Sequence, residues 1–243
     1  MGVDLARPWQ RHVGTLLAQA IDTSYACGMD EEDDVARIAR ELLEARRDRR
    51  SRPPITDSLP LTLDDAYAVQ ELVTAARLER GERIVGWKLV YTSLPMRLQM
   101  GVDAPNFGPL TDAMLLTSGS EVAAELIQPR VEPEVALRFR RPLAGDVTVD
   151  DVLAATDDAC ACLEVVDSVF TDYRFSLEDN TADGSSAAQV VLGASLADLG
   201  QLDEIPVVLS HNGEQVAHGT SAAASGHPAF GVVWLVRQLA GRG

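Results

Sequence analysis

The chain has 243 residues and sets 21 Lys+Arg against 37 Asp+Glu, a formal net charge of −16 at pH 7. That field repels phosphate backbones, so nucleic acid is excluded as a partner, and an anionic metabolite needs a concentrated local positive charge to bind. The hydrophobic fraction of 46% supplies a real core, no run approaches the roughly 18 apolar residues of a membrane span, and no secretory layout opens the chain.

Residues 5–27 read as a helix, with Pro8 in its first turn and Trp9, Val13, Leu16, Leu17, Ala20 and Ile21 at helical spacing. A second helix is expected from Glu31 to Arg47, capped by Asp30, with the stripe Val35, Ile38, Ala39, Leu42 and Leu43. The basic run Arg46 to Arg52 reads as its solvated end, where cations favour the helix dipole.

After the proline-rich loop 52–60, Thr62 and Asp65 have capping-box spacing and open a helix to about Arg80. Beyond Gly81 the pattern turns to a strand, RIVGWKLVY, and residues 94–118 read as irregular around a short helix at Met96–Met100. Residues 131–140 form a strand, Thr148 caps a helix expected over Val149–Cys160, and Leu163–Ser168 is a strand. Further strands are expected at Ala188–Leu192, Val207–Ser210 and Gln215–His218, the last two joined by the hairpin signal Asn212-Gly213. Pro228 opens a last helix that Gly241 closes. Helices dominate the first third and strands the middle, without βα alternation, so the expected class is α+β. The expected organisation is a helical N-terminal region, 1–52, and a β-rich catalytic domain, 53–243.

The segment PRVEPEVALRFR carries the first chemical signal. Side chains alternate along a strand, so Glu132 and Glu134 share one face, with Cα atoms roughly 6.6 Å apart, and Val131, Val135, Leu137 and Phe139 take the other. By itself this pattern equally describes a charged, half-exposed strand, and Arg138 and Arg140 lie on the same side. Glu164, in CLEVVDS, is flanked by apolar residues, and carboxylates are seldom buried unless paired or holding a cation. Three glutamates without His or Cys make an oxygen site suited to Mg²⁺ or Mn²⁺ rather than zinc. Lys88 sits in the apolar strand GWKLVYTS, either snorkelling to the surface or partnering an anion. Asp112 and the Ser185-Ser186 pair carry no signal of their own. The three cysteines, Cys27, Cys160 and Cys162, form no metal or redox spacing, which fits a cytoplasmic protein with reduced thiols. There is no G-x-S-x-G elbow, P-loop or G-x-G-x-x-G turn.

Taken in order, PPITDSLPLTLDDAYAVQ, VGWKLVYTS, MGVDAPNFGPLTDAM, QPRVEPEVAL, LEVVDSVFTDYRFSL, ADGSSAAQVVLG, NGEQVAHG and GHPAFGVVWL resemble the 2-oxopent-4-enoate (2-hydroxypentadienoate) hydratase and 4-oxalocrotonate decarboxylase group of the fumarylacetoacetate hydrolase superfamily. The resemblance implies a mixed β-roll core, a metal on Glu132, Glu134 and Glu164, and Lys88, Asp112 and Ser186 around the substrate. It implies a lyase that hydrates a small 2-hydroxy-2,4-dienoate to a 4-hydroxy-2-oxo acid, with decarboxylation of a 2-oxo-3-enedioate as the alternative. It also implies homo-oligomeric assembly, with hetero-complexes with a pathway enzyme in some relatives. Against the group's pattern, Val90 replaces a glycine, Gly184 an asparagine and Val169 an arginine, and the terminal strands with a G-D-x-I-x-T-G segment are expected to be missing. These departures keep open a diverged isomerase or cyclase of a specialised pathway, and a non-catalytic assembly subunit.

Overall fold

The computed structural model describes residues 33–196 and 199–242. The helix expected over 5–27 and the Asp30 cap lie outside them. Helix α1 (Asp34–Arg47) is capped by Asp33, whose side chain accepts the Val35 N–H. The stripe is as expected: Ile38, Ala39 and Leu42 are buried. Helix α2 (Leu63–Glu79) starts at the Thr62/Asp65 capping box. The two helices share a core cluster with Ile55, Val169, Phe170 and Ala182. Val169 fills this core with no exposed surface.

Strand β1 (Ile84–Val90) pairs antiparallel with β2 (Asn106–Thr111), and the short helix α3 (Leu94–Met100) joins them. The irregular reading of 94–118 is thereby corrected. Gly108 and Pro109 disguise β2 in the sequence, yet a two-stranded ribbon tolerates a proline because one side of each strand lacks a ladder partner. Aromatic packing of Tyr67, Trp87 and Trp234 on Phe107 seats this ribbon between α2 and the last helix, α6 (Pro228–Arg242).

The main sheet has the order β3-β6-β5-β4, built from β3 (Leu115–Thr117), β4 (Arg130–Phe139), β5 (Thr156–Val166) and β6 (Ala187–Ser195). It is mixed: β3 runs parallel to β6, and the other pairings are antiparallel. The helix capped by Thr148 ends early, as α4 (Val149–Ala155), because residues 156–162 belong to β5 rather than to the helix. Leu137 and Phe139 on the back of β4 pack with α4 and α6, while Val131 on that face is 46% exposed. Helix α5 (Leu177–Ala182) follows β5, and β7 (Pro206–His211) and β8 (Glu214–Thr220) form a separate hairpin. Asn212 and Gly213 turn it with φ of 52° and 84°, the conformation that an Asn-Gly hairpin requires. The class is α+β, and no helix among the described residues is long and apolar enough to cross a membrane.

Candidate metal centre and active site

The register of β4 against β5 builds the centre. Glu132 stands directly opposite Glu164, and Glu134, two residues along on the same face, stands opposite Cys162. Oxygen atoms from Glu132, Glu134 and Glu164 all lie within 4.8 Å of one another. Like charges directly across a ladder are destabilising. Among the described residues no hydrogen bond reaches the carboxylates of Glu132 or Glu134. Glu164 is only 4% exposed. Glu134 is exposed, but protein lies around much of its carboxyl. This crowding, with the charges of Glu164 and Glu132, pushes Glu134 up to about 7 although Lys88 pulls the other way. Burial likewise raises Glu164, against the pull of Lys88.

Lys88 crosses from the β1–β2 ribbon to this face. Its Nζ is 2.8 Å from Glu164 Oε1, an approach that is an ion pair rather than an aligned hydrogen bond. Nζ also donates to the Ser185 carbonyl at 3.0 Å. Lys88 is the only lysine among the 243 residues, every other side-chain cation of that type being one of 20 arginines. A guanidinium does not give up its proton, whereas a compact ammonium suits a confined site where a proton must be held or released. One ammonium among three carboxylates leaves the cluster short of positive charge. The donor set is all oxygen and fits a hard divalent ion such as Mg²⁺.

Ser186 follows Ser185 in the chain and is buried, its Oγ accepting from Asn180 Nδ2 at 3.0 Å. Asp112 is not brought to the cluster. It follows β2 at the far end of the ladder, where Thr111 pairs Ile84, roughly 13 Å or more along β1 from Lys88. There its carboxylate accepts the Arg83 backbone N–H and guanidinium, both at 2.9 Å, which hold it below the usual carboxylate range. In this arrangement Asp112 is the charged partner of Arg83 at a strand end.

Three neighbours of the centre were not singled out in the sequence. Cys162, on the metal-facing side of β5, is a buried free thiol raised to about 12 by burial and by Glu134, Cys160 and Glu164. Tyr91 has a positive φ of 57° at the end of β1, and burial followed by the charge of Glu132 raises its phenol. Ser185 contributes a backbone carbonyl, which no side-chain code announces. Apolar flanks concealed Cys162.

Fold and site together define a class, an α+β enzyme with a carboxylate cluster that could hold a divalent cation. Comparisons with known proteins agree. The chain is 37% identical over 218 residues to a 2-hydroxyhexa-2,4-dienoate hydratase of Comamonas testosteroni, covering 87% of this chain and 83% of that one. It is 36% identical over 208 residues to a 2-hydroxypent-2,4-dienoate hydratase of Pseudomonas putida, covering 83% and 94%. Among solved structures, 4-oxalocrotonate decarboxylase from Pseudomonas putida G7, complexed with magnesium and adipate, superposes with a TM-score of 0.82 at 33% identity, over 88% of this chain and 84% of that one. No family model matches the chain. It belongs to the 2-hydroxypentadienoate hydratase and 4-oxalocrotonate decarboxylase family.

Proposed function

We propose that this chain is a metal-dependent hydro-lyase that converts a small 2-hydroxy-2,4-dienoate to a 4-hydroxy-2-oxo acid. The observation that carries the reading is the meeting of Glu132, Glu134 and Glu164 within 4.8 Å, with Lys88 ion-paired to the third. Mg²⁺ or Mn²⁺ held by the three glutamates would supply Lewis-acid stabilisation of negative charge developing on the substrate's 2-oxygen. Lys88 brings the single ammonium of the site to an anionic substrate and holds a proton for transfer to the dienol carbon chain. Glu164 and the Ser185 carbonyl orient that ammonium. Ser186, anchored by Asn180, lines the floor and keeps its own hydroxyl proton available to a substrate oxygen. Protonation at C5 with loss of the 2-hydroxyl proton gives a conjugated 2-oxo-3-enoate, to which water then adds, its hydroxyl at C4 and its proton at C3. The mixed sheet and the two ribbons are, on this reading, parts of a β-roll of the fumarylacetoacetate hydrolase type. Homo-oligomeric assembly in the cytoplasm belongs to the same proposal.

The likeness to a decarboxylase structure favours one second reading, loss of CO₂ from a 2-oxo-3-enedioate at the same centre. The deciding assay supplies Mg²⁺ and, separately, 2-hydroxypenta-2,4-dienoate and 4-oxalocrotonate. Loss of dienol absorbance with hydroxy-oxo acid product supports hydration, and CO₂ release from the second substrate alone replaces it. Failure of Mg²⁺ and Mn²⁺ to bind or to raise the melting temperature overturns both readings.

A further inference from the structure

Gly184, Ser185 and Ser186 form a turn between α5 and β6 in which three successive residues have φ of 67°, 56° and 56°. Two of the three carry side chains that disfavour this left-handed region, and such strain persists only where the surroundings impose it. Ser185 is 1% exposed and its hydroxyl makes no hydrogen bond, so no side-chain bond offsets its strained backbone. What the strained backbone does provide is a carbonyl aimed at Lys88 Nζ, 3.0 Å away.

The turn is held from two sides. On the ribbon side it presses against Gly108, the β2 partner of Lys88, where an added Cβ would stand 2.3 Å from the Gly184 carbonyl oxygen. On the other side Arg46, only 18% exposed, is not the solvated helix end that its basic run suggested. Its Nη2 donates to Asp183 Oδ1 at 2.7 Å and to the carbonyl of Asp167 at 2.9 Å. Asp183 also accepts the Val169 N–H at 3.1 Å, and the Asp167 N–H donates to the Ser186 carbonyl at 2.9 Å.

We propose that this left-handed turn is a positioning device that aims the Lys88 ammonium at the carboxylate cluster, with Gly108 and Arg46 as the positioning residues that lock it. The proposal rests on the role given to Lys88 above. Its test therefore includes a readout that needs no turnover. Because the chain has one lysine, ¹⁵N-lysine labelling gives a single Nζ resonance, whose shift and proton exchange report the two contacts directly.

Two variants press on the turn in opposite ways. Gly108→Ala forces the Gly184 carbonyl away, and Ser185→Gly removes the strain while freeing the carbonyl to point elsewhere. With Mg²⁺ present, Gly108→Ala is expected to lower kcat about a hundredfold and Ser185→Gly about threefold to tenfold, with KM and Mg²⁺ affinity within about twofold of wild type. Both should shift the Nζ signal and speed its exchange. If Gly108→Ala does not fold, Ser185→Gly decides the matter, since a relaxed turn has no reason to unfold. Wild-type kcat together with an unchanged Nζ signal in the folded variants overturns the proposal. A wild-type chain inactive on every dienoate sinks the hydratase reading instead, and the Nζ signal still reports whether the turn aims the ammonium.

Discussion

The molecule holds two groups of three carboxylates that satisfy their charge in opposite ways. Asp167, Asp179 and Asp183 are buried and saturated with protein donors. Asp179 accepts from the Ile55, Thr56 and Ser176 backbone N–H groups and the Thr56 hydroxyl. Asp167 accepts from Ile127 and Gln128, and Asp183 from Val169 and Arg46. Glu132, Glu134 and Glu164 share one ammonium and face each other across a ladder. The first group has spent its capacity on loops and closes the fold, whereas the second keeps its capacity for an ion. A carboxylate is thus a structural latch or a candidate ligand according to how many protein donors surround it.

The sharpest way to break this contrast is to remove one member from each group. Glu134→Gln should weaken Mg²⁺ binding by about 100-fold or more while the chain still folds, because no protein donor is orphaned. Calorimetric titration showing wild-type affinity would take Glu134 out of the ligand set. Asp179→Ala should instead leave three N–H groups unpaired and cost about 3 to 5 kcal/mol, a loss on the order of 10 °C in Tm, whether or not Mg²⁺ is present. A melt within 2 °C or so of wild type would mean that the latch is idle.

Proton linkage separates the groups more finely. Glu134 rises from 4.5 to about 7 in the folded metal-free chain, so the folded state binds more protons than the unfolded one in that window. Its contribution to metal-free stability is present below the ordinary carboxylate value and is lost as pH rises through about 7. Protons compete with the ion for the same oxygens, and Mg²⁺ affinity should fall about tenfold per pH unit below that value. A pH-independent affinity between pH 5.5 and 8, as conditions to be scanned, would contradict the crowding of Glu134. The smallest effect is expected at Asp112→Asn, whose carboxylate serves Arg83 on a partly exposed strand end, with kcat/KM changed less than about twofold and the melting temperature close to wild type. A collapse of kcat in that variant would restore Asp112 to the chemistry.

Much of the centre could be read from the letters. Alternation alone puts Glu132 and Glu134 on one face, and the apolar flanks of Glu164 mark a carboxylate in need of a partner. What no local pattern states is register, and it is register that sets Glu164 opposite Glu132. Register also sets where Asp112 stands: its motif neighbours β2 in sequence, but the ladder carries it away from Lys88. β2 itself went unread because Gly108 and Pro109 look like loop residues, although the glycine is needed for the close approach of the 184–186 turn. Arg46 read as a surface cation because its partners lie 121 and 137 positions away in the chain. The backbone carbonyl of Ser185 could not be read at all, since every residue has one.

The arginine-rich composition has a practical corollary. A protease that cuts only after lysine has one target in this chain, between Lys88 and Leu89 in the middle of β1. Cleavage there requires β1 to leave both β2 and Glu164, so the appearance of fragments 1–88 and 89–243 clocks opening of the active centre itself. Any ligand that closes the centre should lengthen the life of the intact chain in proportion.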